Sequence, residues 1–384
     1  KKYKSDPECH DTALYRSYLK YGVGDDVEWT SFGGEIKWTT LFFDNSTTVW
    51  PSYLPQSIHV PESRCVYGRG DRLSACVTGN LLERNYNPDS LRILAQDPKR
   101  CKILFSQTPA TCTFAETKGG PKSGPATVSD MIKSVGDVIS EEYRVFFSNN
   151  TQAGQAGTAA FIHRDQPLIA IRRPLCDAKG RITVMDFVDR VKILVYLPCR
   201  TESNTELSKE YDMIFSKVMS EIHGENEGLT VTFTRHDGTT HLARRPIFVE
   251  GDFNACKTSD HFNADCLGMP GTNCSNISLW DDLAKYKDCF EEAPEGVREH
   301  YTSFYMWHAH QKNEGQRIDG YYLYDPDAVC KVESCVTMEQ VYRDNIIDHH
   351  PVQLVTSFQQ VSNGADKIRS MLCRGNTMGL TSQI

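Results

Sequence analysis

An aspartate and an asparagine follow directly on an apolar run in the segment IFVEGDFNAC, residues 247–256. Residues 247–249 predict a buried strand, and Gly251 marks its end. Asp252 and Asn254 then follow one residue apart. Glycine, aspartate and asparagine are ordinary turn residues, so a tight turn is one interpretation. The other is a functional edge, because functional groups in sheet proteins collect where strands end.

Three other predicted strands also carry polar side chains at one end. Glu116 ends the strand CTFAETK, Arg317 and Asp319 begin RIDGYYLY, and Asp348 and His349 precede the strand PVQLV in IIDHHPV. Each has an ordinary explanation on its own, as a strand-end carboxylate, a surface Arg–Asp pair or a polar loop before a proline. Carboxylates and an imidazole are also the groups that carry acid–base catalysis and bind hard cations.

The order of these segments resembles that of one known family. They are similar to the motifs of the endonuclease/exonuclease/phosphatase superfamily, which includes DNase I, exonuclease III and the apurinic endonucleases. The family's motifs are a Q-E-T/S-K-like strand end, Y-x-P, G-D-F/L-N, R-I/L-D-Y and S-D-H-x-P with an apolar residue after it. The matching segments, all within residues 71–358, are AETK at 115–118, YLP at 196–198, GDFN at 251–254, RIDGY at 317–321 and DHHPV at 348–352.

The resemblance implies metal-dependent hydrolysis of a phosphodiester. A phosphodiester is a poor electrophile because its charged oxygens repel a nucleophile, and a divalent cation relieves that repulsion. Matched residue by residue, Glu116 and Asp348 are the expected ligands of Mg²⁺, with Mn²⁺ as the alternative ion. Carboxylate oxygens are the hard ligands that both ions prefer.

The same match assigns roles to the remaining polar groups. Asp252 is expected to accept a proton from the attacking water, and Asn254 to orient that water or the phosphate through hydrogen bonds. His349 is expected to pair with Asp319, which fixes the imidazole tautomer and favours an imidazolium facing a phosphate oxygen. Tyr196 corresponds to the family's phosphate-contacting tyrosine. Which group acts as the general base stays open.

Double-stranded DNA is the expected partner. The segment GQRIDGYYL, preceded by the aromatic run YTSFYMWH, is similar to the apurinic endonucleases and to the endonuclease domains of non-LTR retrotransposons. That likeness implies substrate contacts from Arg317, Phe304 and Trp307, the two rings by stacking on an extrahelical nucleotide. Core aromatics beneath the site are the alternative for both rings. RNA, a lipid headgroup or a small phosphodiester is the alternative substrate.

One position of the family's pattern is not matched. The family's first strand ends in N-x-N-G, and its first Asn acts at the metal and the nucleophile. LSACVTGN is the predicted first strand, with Cys76 in place of that Asn and Gly79 in place of the glycine. A competing register with Asp97 leaves too little chain before Glu116 for the usual helix. Cys199 also stands where many relatives carry Asn. A weakened pseudo-nuclease that serves as a binding or scaffold module is therefore a second interpretation.

The composition is that of a globular protein. The chain has 384 residues, of which 39% are hydrophobic and 24% charged, and no apolar run approaches the roughly 18 residues that cross a bilayer. The net charge of −8 argues against coating nucleic acid by charge alone. A basic strip of Arg235, Arg244, Arg245 and Lys192 is expected either to follow a phosphate backbone or to form a solvated face.

Fourteen cysteines without a CxxC pair predict reduced thiols. The lack of a signal-peptide pattern predicts a nuclear or other intracellular location.

The elements that must position these groups predict an α/β fold. Apolar strand-like segments recur along the chain, among them RVFFSN, GTAAFIH, RITVMDF, VKILVYLP and LTVTFT. The segment NTELSKEYDMIFSKVMSEI carries apolar residues at helical spacing. Many strands with few helices indicate two packed sheets with helices outside. Together with the resemblance, this pattern predicts a four-layer α/β/β/α sandwich of two packed mixed sheets flanked by helices.

Three regions are predicted along the chain. Residues 1–70 hold three of the five tryptophans in a β-rich pattern and are expected to form a small extension. Residues 71–358 are the predicted nuclease-like domain, and residues 359–384 are a C-terminal tail. The extension and the missing initiator Met favour a domain of a larger, retroelement-like polypeptide.

Overall fold

The structure is a computed structural model that describes the chain in segments. It describes residues 38–40, 63–69, 98–105, 108–118, 130, 133, 136, 141–148, 156–198, 205–235, 237–255, 278–294, 318–337 and 351–363. Five predicted site residues lie outside these ranges: Phe304, Trp307, Arg317, Asp348 and His349.

Seven of the described strands form one mixed sheet. In spatial order they are β1 (Trp38–Thr40), β6 (Leu168–Pro174), β7 (Ile182–Phe187), β8 (Val191–Tyr196), β11 (Ile247–Asp252), β13 (Asp319–Tyr324) and β12 (Lys287–Asp288). β8 and β11 are parallel, and the other neighbouring pairs are antiparallel. Parallel strands end at the same edge of a sheet, so the ends of β8 and β11 meet.

Six further strands form a second mixed sheet. Their spatial order is β14 (Cys330–Thr337), β15 (Val352–Phe358), β2 (Ser63–Arg69), β3 (Thr111–Ala115), β5 (Thr158–His163) and β4 (Tyr143–Ser148). β2 and β3 are parallel, and the remaining pairs are antiparallel. The strands that the sequence predicts in CTFAET, RVFFSN, GTAAFIH and PVQLVTSF are therefore confirmed.

The hydrophobic core lies between these two sheets. Ala115 and Phe146 face inward from the six-stranded sheet, and Leu194, Phe248 and Tyr321 face inward from the seven-stranded sheet. Each of these side chains is at most 2% exposed. Across this core, β3 packs against β8 and β11. The two sheets thus stack as predicted from the number of strands.

Helices cover the outer faces of both sheets. Helix α2 (Thr205–Glu227) packs apolar side chains at helical spacing on the seven-stranded sheet, namely Tyr211, Ile214, Phe215, Val218 and Ile222. Helix α1 (Pro98–Phe105) packs on the six-stranded sheet, where the ring of Phe105 meets Phe161 edge-on at 5.6 Å. The layer order α2, sheet, sheet, α1 confirms the predicted α/β/β/α sandwich.

A third, three-stranded sheet was not predicted. It consists of β10 (Thr240–Arg244), β9 (Thr230–Thr234) and β16 (Gln360–Asn363), all antiparallel. Two short helices, α3 (Ser278–Asp282) and α4 (Cys289–Glu292), lie between β11 and β13 in the chain. Asp288 begins the second by accepting a hydrogen bond from the Phe290 backbone N–H at 3.0 Å.

β3 lies in the interior of the six-stranded sheet. β3 has β2 on one side and β5 on the other, so both of its neighbouring places are filled. The predicted first strand LSACVTGN, with Cys76 in the Asn position, lies outside the described residues and stays a prediction. The segment SRCVYGR forms β2 beside β3, and it lies wholly within residues 1–70, the predicted β-rich extension. Cys76, Asp97 and Cys199 lie outside the described residues, and the division into domains stays a prediction.

Candidate active site

Three predicted site residues lie side by side at one edge of the seven-stranded sheet. Asp252, the last residue of β11, is in register with Tyr196, the last residue of parallel β8. On its other side Asp252 is in register with Asp319, the first residue of antiparallel β13. All three are buried, with at most 7% of their surface exposed. Tyr196, Asp252 and Asp319 thus form one row across three strands, called the site row below.

The glycine of GDFN is required by close packing of β11 against β8. Gly251 has a φ of 139°, and a Cβ at this position would lie 1.9 Å from the Val195 carbonyl oxygen. No residue with a side chain fits there without backbone movement. Gly251 therefore allows the close approach that keeps Asp252 beside Tyr196.

The turn after β11 holds the Asp252 and Asn254 side chains in place. Asn254 has a φ of 45°, and its backbone N–H donates to Asp252 Oδ1 at 2.8 Å. Its side-chain Nδ2 donates to the Leu197 carbonyl at 2.7 Å. Such a link from an aspartate side chain to the backbone two residues on is a usual turn motif. The turn geometry is thus present, and it orients two of the predicted site residues.

Glu116 leaves the facing sheet toward the same end of the sandwich. Thr111 of β3 accepts a hydrogen bond from Lys192 of β8, and Thr113 of β3 donates one to Glu250 of β11. Glu250 is in register with Leu194 of β8, so the order of residues along β3 follows the order along β8. β3 therefore runs in the same direction as β8 and β11. Glu116 follows directly after β3, near the end where the site row lies.

The backbone around Glu116 is in an unusual conformation. Glu116 has a φ of 50° and Lys118 a φ of 53°, both in the left-handed region. The N–H of Thr117 donates to the Gly157 carbonyl at 3.1 Å, and that of Lys118 to the Ala156 carbonyl at 2.8 Å. Non-glycine residues with positive φ persist where surrounding contacts hold them, and they are frequent at functional sites. The Glu116 Oε1 lies 3.2 Å from Lys118 Nζ, and both side chains are nearly buried.

Arg181 extends the site row by one strand and was missed in the sequence. It lies just before β7, opposite Tyr196, whose N–H donates to the Arg181 carbonyl at 2.8 Å. The Arg181 Nη1 donates to the Tyr196 carbonyl at 3.0 Å, and its guanidinium lies 4.4 Å from the centre of the Tyr196 ring. This is cation–π geometry. The available signal was an arginine directly before the strand-like segment ITVMDF.

A buried tyrosine supports Arg181 from the helical layer. The guanidinium lies 5.5 Å from the Tyr211 ring of α2. The Tyr211 hydroxyl donates to Asp177 Oδ1 at 2.7 Å, and Asp177 Oδ2 accepts from the Ile182 N–H at 2.7 Å. Burial, and then the Asp177 carboxylate, raise the pKa of Tyr211 well above its usual value, so it stays neutral. Arg181 is thus held between two aromatic rings at the edge of the site.

The donor chemistry of Glu116 fits the predicted metal. Its carboxylate supplies the hard oxygens that Mg²⁺ and Mn²⁺ prefer. Within the described residues, no group of three or more His, Cys, Asp and Glu side chains is arranged to hold a metal ion. The second predicted ligand, Asp348, lies outside those residues, so the complete ligand set stays a prediction.

Two further described segments, the start of β15 and Ile318, lie near the end of the sandwich that carries the site row. β15 begins at Val352, which pairs with Tyr67 of β2, level with Thr113 of β3. β15 therefore starts at the end where Glu116 lies, four residues after Asp348. Ile318 accepts a hydrogen bond from the Phe253 N–H at 2.9 Å, directly after Arg317 in the chain. The roles of Arg317, Phe304, Trp307, Asp348 and His349, all outside the described residues, stay predictions.

Two of the four residues of the predicted basic strip are buried, whereas Arg235 is exposed. Lys192 and Arg245 are each 1% exposed. Lys192 Nζ lies 2.7 Å from Glu250 Oε2, and Arg245 Nη1 donates to the Phe187 carbonyl at 2.7 Å. Both interpretations of the strip, phosphate contact and solvated face, are therefore wrong for these two residues. Charged residues are usually exposed, but here polar partners inside the fold allow both side chains to be buried.

The expectations about cysteines and membrane-spanning segments concern the whole chain, and the structure bears on them only within the described residues. Six cysteines in this part of the chain, four of them buried, are not joined in a disulfide. No helix there is long and apolar enough to span a membrane.

The chain was compared with known families, curated proteins and solved structures. No family model and no curated protein matches it. A 3′ phosphatase (NExo) from Neisseria, bound to a product DNA hairpin, is 13% identical with a TM-score of 0.53, and the match covers 77% of this chain and 99% of that one. The AP endonuclease LMAP from Leishmania major is 13% identical with a TM-score of 0.52, over 89% and 98% of the two chains. An AP endonuclease from Archaeoglobus fulgidus is 15% identical with a TM-score of 0.51, over 77% and 99%.

These matches extend over nearly the whole of each solved structure. At identities of 13–15% they establish a shared fold. The layer order, the two mixed sheets and the polar groups at strand ends agree with that fold. The chain therefore has the DNase I-like α/β/β/α sandwich fold of these solved structures.

Proposed function

We propose that the chain is a Mg²⁺-dependent endonuclease that hydrolyses DNA phosphodiester bonds by in-line attack of water, leaving a 3′-hydroxyl. The observation that supports this most strongly is the site row, because Tyr196, Asp252 and Asp319 converge from three strands at one edge. Glu116 leaves the facing sheet at the same end. Polar groups from four strands thus lie at the same end of the sandwich, at strand ends where functional residues of sheet proteins collect.

Asp252 accepts the proton of the attacking water in this proposal. Its carboxylate is buried, and the Asn254 N–H on Oδ1 fixes its orientation. A base whose direction is fixed before the reaction loses little free energy to reorientation in the transition state. The Asn254 side chain, held by the Leu197 carbonyl, lies beside the base and orients the water or the phosphate.

Arg181 and Tyr196 provide the phosphate contact. Their cation–π stack places a guanidinium at the edge of the site row. A guanidinium matches the geometry of phosphate oxygens and stays charged at every working pH. A net charge of −8 makes such local cations necessary for the approach of DNA.

Glu116 and Asp348 would hold the divalent cation, which supplies charge neutralisation at the phosphate. His349, placed by the sequence motif, would pair with Asp319 and present its other ring nitrogen to the phosphate. Phe304, Trp307 and Arg317 would contact the substrate on either side of the reacting bond.

The solved structures support DNA as the substrate class. One of them, the Neisseria 3′ phosphatase, is bound to a product DNA hairpin, and two others are AP endonucleases. These are properties of those proteins, and their shared fold motivates the choice of DNA over RNA or a lipid headgroup as first test substrate.

Cleavage assays with chosen substrates and metals test the proposal. The protein is incubated with supercoiled plasmid, an abasic duplex and an RNA duplex, each in Mg²⁺, Mn²⁺ or EDTA. The expected result is nicking of DNA in Mg²⁺ or Mn²⁺ and none in EDTA, with a 3′-hydroxyl at the new end. Cleavage of RNA alone would move the substrate class to RNA and leave the metal-dependent chemistry in place.

A non-catalytic binding module is the second candidate. The family's first-strand Asn is not matched in the sequence, where Cys76 or Asp97 stands in its place. Binding of duplex DNA without cleavage of any nucleic acid in any metal is the result that would favour this candidate.

A further inference from the structure

Two opposite charges are buried between the sheets, directly beneath the site row. Lys192 of β8 is 1% exposed and Glu250 of β11 is fully buried. The Lys192 Nζ lies 2.7 Å from the Glu250 Oε2. Lys192 alternates with Leu194 along β8, and both face the inter-sheet core. The pair therefore lies on the two strands that end in Tyr196 and Asp252.

Both charges are bonded to the facing sheet. Lys192 Nζ donates to Thr111 Oγ1 at 2.6 Å, and Thr113 Oγ1 donates to Glu250 Oε1 at 2.9 Å. The two threonines belong to β3, the strand that leads into Glu116. Four side chains thus form a chain of contacts across the core, called the inter-sheet bridge below.

Stability alone does not account for the inter-sheet bridge. The desolvation of two buried charges offsets most of their attraction, and an apolar pair of similar volume is often as stable or more stable. Apolar contacts are non-directional, so an apolar core alone fixes the sliding of one sheet over the other only weakly. Hydrogen bonds depend on distance and angle and therefore fix that alignment.

The inter-sheet bridge lies close to the groups whose alignment matters. Glu250 precedes Asp252 by two residues, and Thr113 precedes Glu116 by three. A strand rises by about 3.3 Å per residue, so only a short stretch of strand separates the inter-sheet bridge from Asp252 and Glu116. A small slide of β3 along β11 would therefore displace Glu116 relative to Asp252 by almost the same distance. Displacement of about 1 Å at an active site reduces the rate by as much as about 100-fold.

We propose that Lys192 and Glu250 are positioning residues that align the two sheets, so that Glu116 stays in place opposite the site row. This inference rests on the proposed function and assigns a role to two residues that touch neither water nor phosphate. It predicts that loss of the inter-sheet bridge reduces metal binding and turnover even in a protein that is fully folded.

An apolar replacement of the whole set separates alignment from stability. The variant combines Lys192→Met, Glu250→Leu, Thr111→Val and Thr113→Val, which removes all four polar side chains of the inter-sheet bridge together. We expect its urea unfolding midpoint to equal or exceed that of the wild type. We expect kcat for plasmid nicking to fall by about tenfold or more, with KM for DNA nearly unchanged. The Kd for Mn²⁺, measured on DNA-free protein, should rise by about fivefold or more.

A charge-reversed pair provides the rescue. In the variant Lys192→Glu with Glu250→Lys, the Thr111 hydroxyl donates to the new carboxylate and the Thr113 hydroxyl accepts from the new ammonium. Threonine hydroxyls serve as donors or acceptors, so each contact of the bridge has a counterpart. We expect this variant to recover most of the kcat and the Mn²⁺ affinity that the apolar variant loses.

Each outcome decides one of the two ideas. A folded apolar variant with wild-type kcat and wild-type Mn²⁺ affinity would overturn the positioning role and leave the proposed function intact. A wild-type protein that cleaves no DNA would overturn the proposed function instead. In that case the Kd for Mn²⁺ still tests the positioning role. Equal Mn²⁺ affinities of the wild type and the apolar variant would overturn that role.

Discussion

Asp252 and Asp319 lie directly opposite each other on antiparallel strands, at the edge where β11 ends and β13 begins. The two residues are 67 positions apart in the chain, and strand pairing alone brings them together. Tyr196 continues the row on the other side of Asp252. This convergence of three polar side chains from three strands is the basis of the proposed active site.

Replacement of Arg181 tests the phosphate contact. We expect Arg181→Lys to lower kcat/KM for DNA by about tenfold, because an ammonium keeps the charge but loses the planar stacking on Tyr196 and the bidentate geometry. The matched control is Arg235→Lys at an exposed position beside the three-stranded sheet. An Arg181→Lys rate equal to that of the control would show that Arg181 only supports the strand edge.

The two adjacent histidines of DHHPV test the motif register. The D-H-x-P-V spacing selects His349 as the catalytic imidazole, so His349→Ala is expected to reduce the nicking rate by at least about tenfold. His350→Ala should have a much smaller effect. Single-turnover rates at saturating metal give the comparison, and the opposite ranking of the two variants would move the register by one residue.

Gly251→Ala tests the close approach of β11 and β8. The added Cβ meets the Val195 carbonyl oxygen at 1.9 Å in a backbone conformation that side chains rarely adopt. We expect the free energy of unfolding to fall by about 3 kcal/mol, from steric overlap together with backbone strain. Gly224→Ala is the control, since a Cβ added at this position of helix α2 would meet nothing within 4 Å. Helix propensity predicts that the control gains about 0.5–1 kcal/mol. Urea denaturation measures both, and equal stabilities would contradict the tight packing.

Protonation of His223 is expected to destabilise the fold in mild acid. Burial lowers the pKa of His223 below its ordinary value of 6.5. Its Nε2 is 3.0 Å from the Tyr286 hydroxyl, and its ring meets Tyr324 edge-on. The folded state therefore binds the proton less readily than the unfolded chain. The stability that neutral His223 provides is present above pH 6.5 and is lost as the pH falls toward its folded pKa.

A His223→Gln variant isolates this contribution. The difference in unfolding free energy between variant and wild type, measured from pH 5.5 to 7.5, should narrow as the pH falls. A difference independent of pH would show that His223 does not titrate in this range.

The strands that carry the site were predictable because their apolar runs are long and end in turn residues. IFVEGDFN and VKILVYLP showed this pattern clearly, and the motif order then indicated the fold. Several strands were missed, and three of them show why. Leu168–Pro174 contains two arginines and ends in proline, Thr240–Arg244 alternates weakly, and Cys330–Thr337 mixes charged and apolar residues. Their place in the sheets depends on pairing partners that no local pattern reveals.

The finer features of the site depend on tertiary structure. The register of Asp252 with Tyr196 and Asp319 follows from strand pairing, and the left-handed backbone at Glu116 follows from bonds to Ala156 and Gly157. Lys192 and Glu250 look like surface residues when each is taken alone, because charged side chains are rarely buried unless paired. Each becomes compatible with the core only through the other.

Substitution of Asp252 tests the central claim most directly. Asp252→Asn keeps the size of the side chain and can still accept the Asn254 N–H bond, but it cannot take a proton from water. We expect metal-dependent plasmid nicking to fall by about 100- to 10,000-fold, with DNA affinity and unfolding midpoint unchanged. Asp237→Asn, in the exposed turn between β9 and β10, is the control and should cleave at the wild-type rate. Nicking by Asp252→Asn at the rate of Asp237→Asn would contradict the assignment of this sheet edge as the active site.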